Sequence, residues 1–185
     1  MIDINISDIK WMKRAIYLAS LGKGRTSPNP MVGAVILDKN GNLISEGFHS
    51  KSGMPHAEAM AFNNLKKDAR NGTIYVNLEP CCHQGKTPPC VDKIISFGIK
   101  KVFVSIEDPD KRVSGKGIKL LKDAGIEVHL GLCKKESQEL NKSFIHRNIT
   151  GNAFGVLKWA MSMDGRVGLK NGRSKWITNK NSRSL

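Results

Sequence analysis

Residues 79–90 read Glu-Pro-Cys-Cys-His-Gln-Gly-Lys-Thr-Pro-Pro-Cys, and upstream of them residues 56–58 read His-Ala-Glu. One imidazole (His56) and two thiolates (Cys81, Cys90) form a donor set suited to Zn²⁺, and three protein ligands leave a tetrahedral ion one open position. Water at an open position on zinc becomes acidic near neutral pH, and the reaction then needs a proton carrier. Glu58 fits that role, because a carboxylate in a dry pocket rises in pKa toward the working range. The competing reading is a closed structural site with Cys82 or His83 as fourth ligand, which leaves Glu58 without a purpose.

The flanking residues place these groups. Ala57, Met60, Ala61 and Leu65 recur at helical spacing after Gly53 and Pro55, so a helix is predicted over 57–66 with His56 and Glu58 at its start. Cys90 opens a second apolar run behind Pro88-Pro89, and Gly98 closes it. The partial positive charge of helix N-termini favours thiolates. Farther out, a helix is expected over 8–22 capped by Ser7, and strands over 32–38 and 43–49 joined by the turn Lys39-Asn40-Gly41-Asn42. Strands at 73–79, 101–106 and 126–131 then alternate with helices from 90 and at 116–124, and one helix is read over 135–149. The expectation is an α/β fold with a five-stranded mixed sheet between helices. Gly151 marks a boundary, giving domains 7–151 and 152–185, the latter opening with a strand-like run, Phe-Gly-Val-Leu-Lys-Trp-Ala-Met-Ser at 154–162.

His-Ala-Glu with paired Pro-Cys resembles the cytidine-deaminase-like zinc deaminases, whose usual form is H-x-E with P-C-x-x-C. Here the two cysteines are separated by eight residues instead of two. That longer segment is similar to the deaminase domain of the RibD family of bifunctional riboflavin-biosynthesis proteins, as are Ser27-Pro28-Asn29-Pro30-Met31-Val32-Gly33 and Glu107-Asp108-Pro109-Asp110. Lys158–Gly165 and Ser174–Thr178 resemble the opening of that family's reductase domain.

The resemblance implies a three-layer α-β-α fold, Zn²⁺ on His56, Cys81 and Cys90, and Glu58 as the catalytic proton carrier. It implies hydrolytic deamination of a diamino-ribosylaminopyrimidinone phosphate, with Asn29, His49, His83, Lys86, Asp108 and Asp110 around the substrate. Ala160, Ser174 and Trp176 match the reductase site, with NADPH a cofactor of the full-length protein only and no reductase activity expected from this chain. Each substrate residue has a plainer reading: Asn29, Asp108 and Asp110 as turn formers beside proline, His49 as a solvent-facing strand end, Lys86 as a solvated loop lysine.

Composition narrows the alternatives. The chain has 185 residues, 39% of them hydrophobic, enough for one ordinary core. No apolar run is long enough to span a membrane and the N-terminus lacks a signal-peptide pattern, so a cytoplasmic protein is expected. Adjacent Cys81 and Cys82 argue against a disulfide framework; Cys82 is read as a non-ligand and Cys133 as a free thiol. The net charge of +14 raises the question of nucleic acid, but the lysines are dispersed as pairs and aromatics make up only 6%. A small-molecule substrate is therefore expected, with no nucleic-acid or membrane partner and with homo-oligomerisation left open. The rival functions are a tRNA or nucleobase deaminase and a zinc-stabilised binding module.

Overall fold

The computed structural model describes residues 5–83 and 88–183. The chain divides into two compact units, 1–153 and 154–185. The first begins with helix α1 (Ile6–Ser20), followed by strands β1 (Gly33–Leu37) and β2 (Leu43–Phe48) and helix α2 (Ala57–Asn63). Next come β3 (Thr73–Val76), α3 (Cys90–Ser96), β4 (Lys101–Val104), α4 (Lys116–Asp123), β5 (Glu127–Leu130), α5 (Lys134–Leu140) and α6 (Lys142–Thr150).

The cap of α1 differs from the sequence expectation. Asn5, not Ser7, accepts the Ser7 N–H, and Asp8 reaches back to accept the Asn5 N–H at 3.0 Å. This reciprocal pair satisfies two otherwise orphan donors, so the helix starts earlier than a lone serine predicts.

The strands form one sheet in the order β2-β1-β3-β4-β5. β1 pairs antiparallel with both β2 and β3, whereas β3–β4 and β4–β5 are parallel, so the sheet is mixed as expected. Its inner strands are buried on both faces. Ala34, Ile36, Ile74, Val76, Val102 and Val104 pack into one core with α2, α3 and α4. The intervening Val35, Leu37, Tyr75 and Phe103 pack into a second with Met12, Ala15 and Leu18 of α1. Alternation of side chains along each strand thus feeds two cores, which makes three layers and explains the continuous apolar runs. The rings of Tyr75, Phe103 and His129 stack across three adjacent strands with centroids 4.7 and 4.6 Å apart.

The expected single helix over 135–149 is two helices, broken at Asn141. The cause is tertiary. Asn141 is buried; its Oδ1 accepts the Met31 N–H at 2.8 Å and its Nδ2 donates to the Met31 carbonyl at 2.9 Å. The fixed position of this amide against a distant loop ends α5 and reorients the chain into α6.

In the second unit, the strand-like run 154–162 forms no strand among the described residues. Val156 and Leu157 stay exposed, and among the described residues the run has no ladder pairing, without which an extended segment is not a strand. Among the described residues the unit's regular structure is a short helix α7 (Lys180–Arg183), with Arg183 stacked 4.0 Å over the Trp176 ring. Among the described residues no helix is long and apolar enough to cross a membrane.

Candidate active site and metal centre

His56 is the N-cap of α2 and Cys90 the first residue of α3, while Cys81 lies just beyond the end of β3. Gly47 lets α2 lie close on β2: a Cβ there would stand 2.6 Å from the Ala57 carbonyl oxygen and 2.5 Å from the Ala61 nitrogen. This close seating holds His56 and Glu58 over the sheet's edge.

The His56 Nδ1 lies 3.4 Å from both Cys81 Sγ and Cys90 Sγ, and the three ligand atoms fall within 4.8 Å of one another. Tetrahedral zinc ligands at ordinary bond lengths stand about 3.5 Å apart, so the donor set fits the ion in identity and spacing. Cys82 stands outside this group with its sulfur 3.9 Å from the Arg112 carbonyl oxygen. The Cys90 N–H points at the Cys81 sulfur at 3.4 Å, which stabilises negative charge there. Hydrogen bonds from Cys90 and His56 hold Cys81 well below the ordinary thiol range, whereas Cys90, beside that thiolate and buried, is pushed up. The hydrogen bond to Cys81 raises His56.

Glu58 is 3% exposed, and burial, reinforced by the Cys81 charge, lifts its pKa to about 7. It faces the same cavity, about 210 Å³, as His56 and Cys81. A carboxyl poised near neutrality can both take and return a proton.

Of the other expected site residues, Asn29, His49, His83, Asp108 and Asp110 all line this cavity. Lys86 lies outside the described residues. His49 is buried, in place of the solvent-facing alternative, and burial lowers its pKa. Its Nδ1 is 3.0 Å from the Pro55 carbonyl oxygen and its Nε2 3.2 Å from Asn29 Nδ2. His83 Nδ1 is buried with no hydrogen-bond partner among the described residues. Asp108 is buried, which raises its pKa to about 6, and Asp110, ion-paired to Arg112 at 2.5 Å, is held down at about 2. Ser174 and Trp176 line a separate cavity within the second unit; Ala160 does not.

Several residues that shape the site carried no local signal. Buried Asn77 accepts from Gly33 N–H and donates to the Met31 carbonyl, so with Asn141 two asparagines clamp the loop that carries Asn29. The buried Glu79 carboxylate accepts backbone N–H groups of Asp108, Gly115 and Ile118 at 3.2, 2.9 and 3.2 Å. It thereby caps α4 and fixes the Asp108 loop to the strand end that leads into Cys81. Arg112, Phe144, Arg147 and Asn148 also line the cavity.

Residues 5–106 match the family described as the cytidine and deoxycytidylate deaminase zinc-binding region. The chain belongs to this deaminase family. It is 47% identical to the riboflavin biosynthesis protein RibD of Aquifex aeolicus over 96% of the chain and 50% of that relative. It is 43% identical to RibD of Escherichia coli over 96% of the chain and 48% of that relative. A crystal structure of a diaminohydroxyphosphoribosylaminopyrimidine deaminase/5-amino-6-(5-phosphoribosylamino)uracil reductase from Thermotoga maritima superposes with a TM-score of 0.90 at 45% identity, covering 95% of this chain and 51% of that one. The chain thus spans about half the length of the curated relatives it matches. Cys81 and Cys90, nine positions apart, both stand 3.4 Å from His56 Nδ1, with Cys90 carried by its own helix start.

Proposed function

We propose that the chain is a zinc-dependent aminohydrolase of riboflavin biosynthesis. It converts 2,5-diamino-6-(5-phosphoribosylamino)pyrimidin-4(3H)-one and water to 5-amino-6-(5-phosphoribosylamino)uracil and ammonia. The observation that carries this reading is a three-ligand His56-Cys81-Cys90 cluster opening, with the buried carboxyl Glu58, onto one cavity. Similarity to RibD proteins supports the substrate.

Zinc held by His56, Cys81 and Cys90 supplies Lewis acidity that makes water nucleophilic near neutral pH. Glu58 takes a proton from the attacking water and delivers it to the amino nitrogen that leaves as ammonia; the ring carbon that lost nitrogen becomes a carbonyl. Asn29 orients the ring through its amide, and His83 and Asp108 stand where they can bond the pyrimidine's polar edge. The 154–185 unit is the beginning of a reductase half, with Ser174 and Trp176 in its site and NADPH the cofactor of the full-length protein.

The test is ammonia release from the phosphoribosylaminopyrimidinone by zinc-loaded protein. Glu58→Gln should retain zinc and lose about 10²–10⁴ in kcat. Full activity in Glu58→Gln, or no ammonia from a folded, zinc-loaded wild type, would reject the reading.

A further inference from the structure

We propose that Arg147 is a phosphate-binding residue of the active-site cavity, taking the terminal phosphomonoester of the substrate; this rests on the aminohydrolase reading above. The cavity has two kinds of wall. The metal ligands and Glu58 come from the segment shared with cytidine and deoxycytidylate deaminases, residues 5–106. Another part of the wall comes from α6, outside that segment, which presents Phe144, Arg147 and Asn148 at i, i+3 and i+4, one face of the helix. An added wall is where an enzyme reads what its substrate has beyond an aminopyrimidine ring.

Charge singles out Arg147 on that wall. Four carboxylates line the cavity: Glu58, Glu79, Asp108 and Asp110. Glu79 is occupied by three backbone N–H groups, and Asp110 is matched by the forked contact of Arg112. Arg112 is therefore already neutralised. Arg147 instead donates one N–H, from Nη2, to the carbonyl oxygen of Pro28 at 3.2 Å, a neutral acceptor. Among the described residues it has no carboxylate partner, so its charge is available at the cavity's exposed side.

The same bond orients the group. A guanidinium carries five N–H donors in a planar fork, and one spent on Pro28 leaves four, enough for two parallel bonds to phosphate oxygens. Pro28 immediately precedes Asn29, so the residue that meets the phosphate is tied to the loop that meets the ring. An occupied phosphate site would hold that loop, and with it the Asn29 amide, in place during turnover.

The experiment compares the phosphoribosylaminopyrimidinone with its dephosphorylated counterpart on zinc-loaded wild type, Arg147→Gln and Arg147→Lys, with inorganic phosphate as competitor. Arg147→Gln should raise KM for the phosphorylated compound tenfold or more while kcat falls less than threefold. Its preference for the phosphorylated compound should collapse, and inhibition by inorganic phosphate should weaken in parallel. Arg147→Lys, which keeps the charge and loses the fork, should recover part of both. A phosphate preference in both variants within twofold of wild type overturns the assignment, as does a wild type that turns over the two compounds equally; either leaves the aminohydrolase reading standing. Ammonia from neither compound would instead remove that reading, and this one with it.

Discussion

Asn29 Nδ2 lies 3.2 Å from His49 Nε2, and the direction of that hydrogen bond is set by the backbone. The Pro55 carbonyl can only accept, so His49 Nδ1 carries the proton, and Nε2 presents a lone pair to the Asn29 amide. Asn29 must therefore turn its nitrogen toward His49, which leaves Oδ1 and the second amide hydrogen for the cavity. His49 consequently orients Asn29 as well as lining the site.

Removing that orientation should cost about one hydrogen bond. His49→Ala is expected to lower kcat/KM about tenfold with zinc content retained, since the Asn29 amide is then free to turn over. His49→Gln can both accept from Asn29 and donate to Pro55 and should recover part of the loss. Asn29→Asp sets a carboxylate oxygen against the Nε2 lone pair and should be worse than His49→Ala. Steady-state ammonia release with metal analysis checks the order; equal losses in His49→Ala and His49→Gln would contradict it.

Metal removal separates the three ligands from the neighbouring thiol. At free zinc about 100-fold above Kd, wild type should gain about 2.7 kcal/mol over apo protein, roughly 5–10 °C in Tm. Cys90→Ser should lose that gain and bind little zinc. Cys82→Ser should behave as wild type, because its sulfur faces the Arg112 carbonyl. Zinc loss in Cys82→Ser would show that the cluster has a fourth ligand, a third thiolate.

What the sequence revealed and what it hid divide along contact distance. His56, Glu58, Cys81 and Cys90 were readable because chemically rare residues sit in short runs beside helix starts, the inner strands because both their faces are apolar, and β2 because the turn at 39–42 pairs it with β1. The break at Asn141 and the α4 cap by Glu79 were not, since each depends on a partner far along the chain: Met31 in one case, Gly115 and Ile118 in the other. Helical periodicity continues through 141, and only the buried loop at Met31 gives that asparagine a reason to stop the helix. The Asn5–Asp8 reciprocal cap of α1, by contrast, is a local pattern that the sequence itself carries.

The Glu79 cap should be visible as stability and as metal affinity together. Glu79→Gln keeps one acceptor oxygen and sets a donor amide against backbone N–H groups, at a cost of about 2 kcal/mol, or roughly 4–8 °C in Tm. Gly117→Ala tests the same junction sterically. A Cβ there would lie 2.3 Å from the Pro80 carbonyl oxygen, so α4 must move away from the residue before Cys81. Both variants should weaken zinc binding although neither residue is a ligand. Unchanged Tm and zinc affinity in Gly117→Ala would show that this junction yields freely.

The two aspartates of the 107–115 loop shift in opposite directions, which lets one be measured without the other. Asp110 falls to about 2 from an ordinary 3.8 because of Arg112, so its stabilisation is present above 3.8 and lost as pH falls toward 2. Asp108 rises to about 6 from 3.8 because it is buried, near Asp110 and Glu79, with His83 opposing. Between about 4 and 6 the folded state holds a proton on Asp108 that the unfolded chain has released. Stability therefore falls as pH rises through that window, by about 1–2 kcal/mol once partial solvent access is allowed for. Asp110 is ionised in both states there and adds no slope. Glu58, lifted to about 7 by burial, adds a slope of the same sign in wild type and variant alike, so it cancels in their difference. Denaturant unfolding at pH 4.5 and 7 should thus show Asp108→Asn with the flatter profile and relatively more stable at pH 7 than at pH 4.5. A variant profile parallel to wild type would mean that Asp108 stays ionised across the window and that its burial is relieved by solvent.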